Sequence, residues 1–177
     1  MCGINGIFSF SEDNIDKLEI KKMNSLLSHR GPDGKGTKMF DKLGLGHTRL
    51  SIIDLDVRGS QPMVDFNEEY WIVYNGEIYN YLELRETLNR LGYKFKTKTD
   101  TEVILNSYKH WGKKAFSKFN GMFAFCIYNK SEKKLICVRD RFGIKPLYYR
   151  PGKENFIFSS EIKPILSVLD TTPSVNR

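Results

Sequence analysis

Met1-Cys2-Gly3-Ile4-Asn5-Gly6-Ile7-Phe8-Ser9-Phe10 opens the chain, and residues 4–10 alternate as a β-strand does. Successive side chains of a strand point to opposite faces, so this run can pack against a neighbour on each side. Further short runs of the same kind are bounded by Gly, Asn, Asp or Lys turns. They cover residues 43–49, 70–74, 122–128, 134–138, 147–150 and 156–159.

Helical spacing of apolar residues occurs in residues 15–27, 81–91 and 101–111. The predicted strands come in antiparallel-looking clusters with these helices set between the clusters. That order favours an α+β layered architecture over a doubly wound parallel sheet.

Capping signals mark the ends of two predicted helices. Asn80 and Glu83 predict a capping box before the second helix, and Gly92 predicts its end. Thr99 and Glu102 predict a similar box before the third helix.

Length and composition indicate one ordinary globular domain. The chain has 177 residues, of which 40% are hydrophobic and 28% charged. No apolar run approaches the roughly 20 residues that span a bilayer, and we see no secretory signal. The three cysteines Cys2, Cys126 and Cys137 lack metal-ligand spacing and are odd in number. A reducing cytoplasm is therefore expected, with no metal site and no membrane partner.

The net charge of +7 raises the question of nucleic-acid binding. The 28 basic residues are scattered and interleaved with 21 acidic ones, and no aromatic-basic recognition signature is present. The sequence therefore gives no support for a nucleic-acid partner.

Cys2 is a candidate nucleophile. Removal of Met1 would give Cys2 a free α-amine, whose ordinary pKa of about 7.7 to 8.0 leaves part of it neutral near pH 7. Such an amine can accept the proton of its own residue's thiol, as in N-terminal nucleophiles. A cysteine at this position alone is more often an incidental thiol or a buried strand residue.

Asn75-Gly76 lies between two β-like runs and predicts a hairpin with a type I′ turn. The same pair could serve chemistry. The Asn75 side-chain amide and the Gly76 backbone N–H are two donors of the kind that stabilise a tetrahedral oxyanion.

Arg49 and Asp100 are candidates for holding a charged ligand. Arg49 follows a predicted strand, and a guanidinium can bind a carboxylate through two parallel hydrogen bonds. Asp100 stands at a predicted helix start, but Thr99 can act as the cap, which leaves the carboxylate free for a cation. Together with Cys2, these groups suit an amino acid that carries a side-chain amide.

Eight ordered motifs resemble the class II glutamine amidotransferase domain of glutamine-dependent asparagine synthetases. The resemblance covers residues 1–163. The motifs are Met1-Cys-Gly-Ile4, Arg30-Gly-Pro-Asp-Gly34, Gly46-His-Thr-Arg-Leu-Ser-Ile-Ile-Asp54, Ser60-Gln-Pro-Met63, Tyr74-Asn-Gly-Glu-Ile-Tyr-Asn80, Thr99-Asp-Thr-Glu102, Arg139-Asp-Arg-Phe-Gly-Ile-Lys-Pro-Leu-Tyr-Tyr149 and Ser159-Ser-Glu-Ile-Lys163.

The resemblance implies an N-terminal nucleophile hydrolase fold, a four-layer αββα sandwich with two stacked antiparallel sheets. It implies Cys2 as nucleophile, Asn75 and Gly76 as oxyanion hole and Arg49 as carboxylate clamp. Acidic side chains would hold the substrate ammonium, and a strand adjoining Arg49 would contact glutamine. Glu77 and Asp100 match the acidic side chains that hold the ammonium. Leu50, Ser51, Ile52 and Ile53 match the strand that contacts glutamine.

The resemblance also implies a partner. Residues 1–169 are expected to form the amidotransferase domain, and residues 170–177 to begin a linker to a synthetase domain. That domain, in cis or as a separate subunit, would use ATP and Mg²⁺ to amidate aspartate, whereas the present domain needs no cofactor. The full-length protein, with both domains, could form a homodimer. The alternatives are an ammonia supplier for sugar acids or other carboxylates, and a glutamine sensor without turnover.

Overall fold

The first of two antiparallel sheets carries the start of the chain at its centre. The computed structural model describes residues 1–11 and 14–169. Strand β1 (Gly3–Ser9) pairs with β3 (Leu43–Arg49) on one side and with β9 (Asn155–Ser159) on the other. Strands β2 (Gly34–Met39) and β8 (Tyr148–Pro151) complete the order β2-β3-β1-β9-β8. Cys2 therefore lies directly before a central strand.

The second sheet has the order β4-β5-β6-β7. Its long central strands are β5 (Tyr70–Ile78) and β6 (Gly121–Asn129), which pair along their whole length. Strands β4 (Met63–Val64) and β7 (Lys134–Arg139) form its two edges.

Helices cover the outer face of each sheet. Helices α1 (Lys17–Leu26) and α4 (Ile162–Leu166) pack on the first sheet, and α3 (Asp100–Trp111) packs on the second beside α2 (Tyr81–Arg90). Short 3₁₀ helices occupy Val57–Gly59 and Gly112–Lys118. The four-layer αββα arrangement expected from the resemblance is thus confirmed.

Three apolar clusters separate the four layers, and the alternation of side chains along the strands decides which cluster each residue joins. Ile4 of β1 and Val73 of β5 meet between the two sheets. Ile7 of β1 faces α1, and Ile72 of β5 faces the α2 and α3 layer. By the same alternation, Asn75 faces the inter-sheet layer near the end where β1 begins.

The capping predictions are partly confirmed. Gly92 ends α2 with a φ of 88°, and the Thr99 side chain caps α3 by accepting from the Glu102 N–H. The Asn80 prediction is wrong, because its side chain makes no cap hydrogen bond and binds the backbone of residues 118 and 120 instead.

Seven strand predictions match observed strands, with ends that move by a few residues. Strands β2 and β4 were not predicted. The predicted linker in residues 170–177 lies outside the described residues. Among the residues that are described, none of the helices has both the length and the apolar character needed to cross a bilayer.

Candidate active site

A single pocket brings all the predicted site residues together. It has a volume of about 100 Å³ and opens at the end of the two sheets where β1 starts. Cys2 reaches it from just before β1, and other residues reach it from the ends of β3 and β5 and from the start of α3. The predicted site residues on its wall are Cys2, Arg49, Leu50, Ser51, Ile52, Ile53, Asn75, Gly76, Glu77 and Asp100.

Backbone groups fix Cys2 at the pocket floor. Its Sγ accepts from the Leu50 N–H at 3.4 Å and lies 3.6 Å from the Leu50 carbonyl oxygen. The Cys2 carbonyl oxygen accepts from Arg30 Nε at 3.0 Å, and Arg30 is held in turn by Glu161. Burial raises the pKa of the Cys2 thiol, although the Leu50 bond, the chain's amino-terminal charge and Arg49 oppose that rise. The thiol consequently needs a base to ionise near neutral pH.

Arg49, the last residue of β3, keeps its charge available. Its Nη1 donates to the Asp56 carbonyl oxygen at 2.9 Å, and its Nη2 donates to that of Asp54. These bonds orient the guanidinium without neutralising it. Within residues 1–11 and 14–169, no carboxylate side chain forms an ion pair with Arg49.

The predicted turn at Asn75-Gly76 is wrong. Both residues lie inside β5, opposite Ala124 and Phe123 of β6, and neither has a positive φ as a type I′ turn requires. Gly76 is needed for a different reason: an added Cβ would lie 2.3 Å from the Met122 carbonyl oxygen.

Asn75 nevertheless has an unused donor. The residue is 1% exposed, and its Nδ2 has no hydrogen-bond partner among the residues that the structure describes. A buried amide N–H without a partner carries a free-energy cost of about 1 to 3 kcal/mol, so it calls for an acceptor that the free chain does not supply.

Asp100 lies at the first turn of α3 and is buried against β5. Its Oδ2 accepts from the Tyr74 hydroxyl at 2.7 Å and from the Ile78 N–H at 3.0 Å. Burial raises the pKa of Asp100, and these two donors oppose the rise. The carboxylate thus lies in the pocket with no cation bound to it among the described residues.

The segment from Leu50 to Ile53 was predicted as a strand and is a loop, because β3 ends at Arg49. Ser51 is tied by its N–H to Asp33 Oδ2 at 2.8 Å. Ile52 is 70% exposed and lies at the pocket rim as part of this loop.

Sequence reasoning missed several residues of the wall. Gln61 accepts from the Tyr74 N–H at 2.6 Å and lies 3.3 Å from Thr101 Oγ1, which links β5 to α3 beneath the pocket. Lys145 is buried, with its Nζ 3.3 Å from Met1 Sδ. No local spacing identifies these side chains, since their partners are distant in the sequence.

Solved structures share this fold. The chain superposes on the glutamine phosphoribosylpyrophosphate amidotransferase of Bacillus subtilis with a TM-score of 0.77 and 23% identity, over 93% of this chain and 43% of that one. The chain therefore shares the fold of this amidotransferase.

Sequence comparison places the chain more narrowly. Residues 1–177 match the family model of the glutamine amidotransferase domain, and the chain belongs to that family. It is 46% identical to a putative glutamine-hydrolysing asparagine synthetase of Methanocaldococcus jannaschii, over 99% of this chain and 37% of the relative. It is 48% identical to asparagine synthetase 1 of Bacillus subtilis, over 94% of this chain and 27% of the relative. The chain thus spans about a third of these relatives' length.

Proposed function

We propose that this chain hydrolyses L-glutamine to glutamate and ammonia through a γ-glutamyl thioester on Cys2. Family membership supports the substrate, and the pocket supports the chemistry. The main supporting observation is the buried Nδ2 of Asn75, which lies in the same pocket as Cys2 and has no acceptor within the described part of the chain.

The first step requires Cys2 to lose its proton. Burial holds the pKa of the thiol above its usual range, so the thiol does not ionise unaided near pH 7. Once Met1 is removed, the α-amine of Cys2 takes this proton directly or through one water. The sulfur then attacks the glutamine amide carbon, and the carbonyl oxygen becomes an oxyanion.

Asn75 and Gly76 stabilise that oxyanion. The Asn75 Nδ2 donor and the Gly76 N–H are held by a strand that pairs with β6 along its whole length, so they need no rearrangement. Collapse of the intermediate breaks the carbon–nitrogen bond, and the proton held by the amine leaves with the ammonia. Water then attacks the thioester, which releases glutamate and restores the thiol.

The charged end of glutamine fits the remaining wall. Arg49 binds the α-carboxylate, because its guanidinium is oriented by two backbone carbonyls and has no carboxylate partner in the described part of the chain. Asp100 and Glu77 bind the α-ammonium. These contacts, together with the Leu50 to Ile53 loop, place the amide over Cys2.

The relatives' greater length supports a proposal about the ammonia. We assign it to a synthetase domain or subunit that uses ATP and Mg²⁺ to amidate aspartate, since the Methanocaldococcus and Bacillus relatives are named as asparagine synthetases. The present domain takes no cofactor in this scheme. A reducing compartment such as the cytoplasm suits the free Cys2 thiol.

Glutamate release by the purified chain tests the proposal. Cys2→Ala is expected to abolish release, whereas Cys137→Ser, which changes a thiol away from the pocket, is expected to retain it. Glutamine binding by calorimetry without any release from the parent chain would instead support a sensor. Release by Cys2→Ala would exclude the thioester route.

A further inference from the structure

Cys126 and Cys137 form a close pair of thiols outside the pocket. They are register partners on β6 and β7, and their sulfur atoms lie 2.9 Å apart. Directly opposed residues of antiparallel strands have Cα atoms about 4.5 to 5.5 Å apart, within the roughly 4.4 to 6.8 Å that a disulfide spans. A bond between the two sulfurs therefore requires little backbone movement.

The two thiols differ in access. Cys126 is fully buried between the sheets, beside Ile4 and Val73. Cys137 is partly exposed on β7, which is an edge strand, and it lines a surface groove. A reagent in solution consequently reaches Cys137 first.

The groove also favours reaction at Cys137. Among the described residues, its charged groups are Lys133, Lys134 and Glu132, and Lys134 Nζ lies 3.6 Å from Glu132 Oε2. Cations that line a groove attract anionic reagents from solution. Burial keeps Cys126 away from reagents in solution and raises its pKa, so Cys126 is suited to the second position in a reaction.

We propose that Cys126 and Cys137 are a dithiol oxidation site whose co-reactant is an anionic low-molecular-weight disulfide such as glutathione disulfide. The Cys137 thiolate attacks one sulfur of the reagent, forms a mixed disulfide and releases one reduced thiol. Cys126 then loses its proton and displaces the second reduced thiol, which closes the protein disulfide. The protein loses two protons and two electrons in all, and the reagent gains them.

The product would tie the edge strand β7 to the central strand β6. The Cys2 pocket lies at the end of the sandwich where β1 begins, and neither thiol of the pair lines it. Oxidation of this thiol pair is thus independent of the proposed glutamine chemistry.

Intact-mass spectrometry of the full chain carrying Cys2→Ala tests this site without reaction at the nucleophile. After treatment with glutathione disulfide, we expect the loss of two hydrogen atoms with no retained adduct, and a non-reducing digest that joins the peptides of β6 and β7. Dithiothreitol should restore the original mass.

Two further variants separate the steps. Cys126→Ala in the same background should stop at a stable glutathione adduct on Cys137, and Cys137→Ser should remain unmodified. Circular dichroism checks that each variant is folded. A parent protein that stays unmodified, or that keeps a glutathione adduct and never closes the disulfide, would overturn the proposal.

Discussion

The Tyr74 hydroxyl donates to Asp100 Oδ2 at 2.7 Å, and this bond joins the central strand β5 to the first turn of α3. Tyr74 is itself 3% exposed. Both residues line the pocket, so Tyr74 acts as a positioning residue for the carboxylate that we assign to the substrate ammonium. Asn75 and Gly76 are likewise held within β5, which pairs with β6 along its whole length.

Tyr74→Phe should raise the KM for glutamine by about tenfold and leave kcat nearly unchanged, since a hydrogen bond to a charged group contributes about 1.5 kcal/mol or more. Loss of this donor also raises the pKa of Asp100 further. Glutamine affinity requires ionised Asp100 and is lost as pH falls through that pKa, so in the variant the loss begins at a higher pH. KM measured across pH checks both effects.

Tyr79→Phe is the matched control, because Tyr79 is 55% exposed and does not line the pocket. If the rise of KM at low pH is the same in Tyr74→Phe as in the parent, Tyr74 does not position Asp100 for the substrate.

Asn75→Ala should lower kcat by about 10²- to 10³-fold with a small change in KM, because the lost donor acts on the oxyanion and not on bound glutamine. Steady-state glutamate release measures both constants. Asn89→Ala, at an exposed position of α2, serves as the control. An unchanged kcat in Asn75→Ala would show that its unused amide has no part in the reaction.

Arg49→Ala should raise the KM for glutamine by about a hundredfold, since it removes a charge-assisted pair with the α-carboxylate. Arg49→Lys should recover only part of this, because an ammonium lacks the planar fork. The exposed Arg90→Ala is the control. Equal KM values for Arg49→Ala and the parent would place the carboxylate elsewhere.

His47 should make folding stability depend on pH. Burial lowers its pKa to about 4 in the folded chain, against about 6.5 when unfolded. The unfolded state therefore binds the proton first. The contribution of His47 to the free energy of unfolding is fully present above about pH 6.5. It falls by about 3 kcal/mol as the pH drops toward 4.

Urea unfolding at several pH values measures the effect. His47→Gln should be less stable than the parent at pH 7. Between pH 6.5 and pH 4, its free energy of unfolding should fall by about 3 kcal/mol less than that of the parent. An identical slope in both proteins would mean that His47 titrates equally in the folded and unfolded states.

Much of the fold could be predicted because strand alternation and helical spacing are local properties. The apolar faces of β1 and β6 can be recognised from the residues of each strand alone. Gly92 marks a helix end by its positive φ, and Thr99 marks a helix start by its side-chain cap. Strand β2 was missed because Gly34 and Gly36 interrupt its pattern; a Cβ at Gly36 would lie 1.8 Å from the Gln61 carbonyl oxygen.

The Asn75-Gly76 error has a tertiary cause. The dipeptide favours a tight turn in isolation, but nine residues of β5 pair with β6, and that ladder outweighs the local preference. The side chains of the site came from motifs and could be named in advance. The residues that position these side chains could not be predicted, because they are distant in sequence. Tyr74, for example, binds Asp100 across 26 positions.

The most direct test of the account is to quench the chain with acid during glutamine turnover and map the acyl group by peptide mass spectrometry. We predict a glutamyl thioester on the amino-terminal peptide, at Cys2, in molecules that have lost Met1. Protein that retains Met1 should carry none and release no glutamate. An acyl group on another residue, or turnover by protein that keeps Met1, would contradict the claim that Cys2 supplies both the nucleophile and its base.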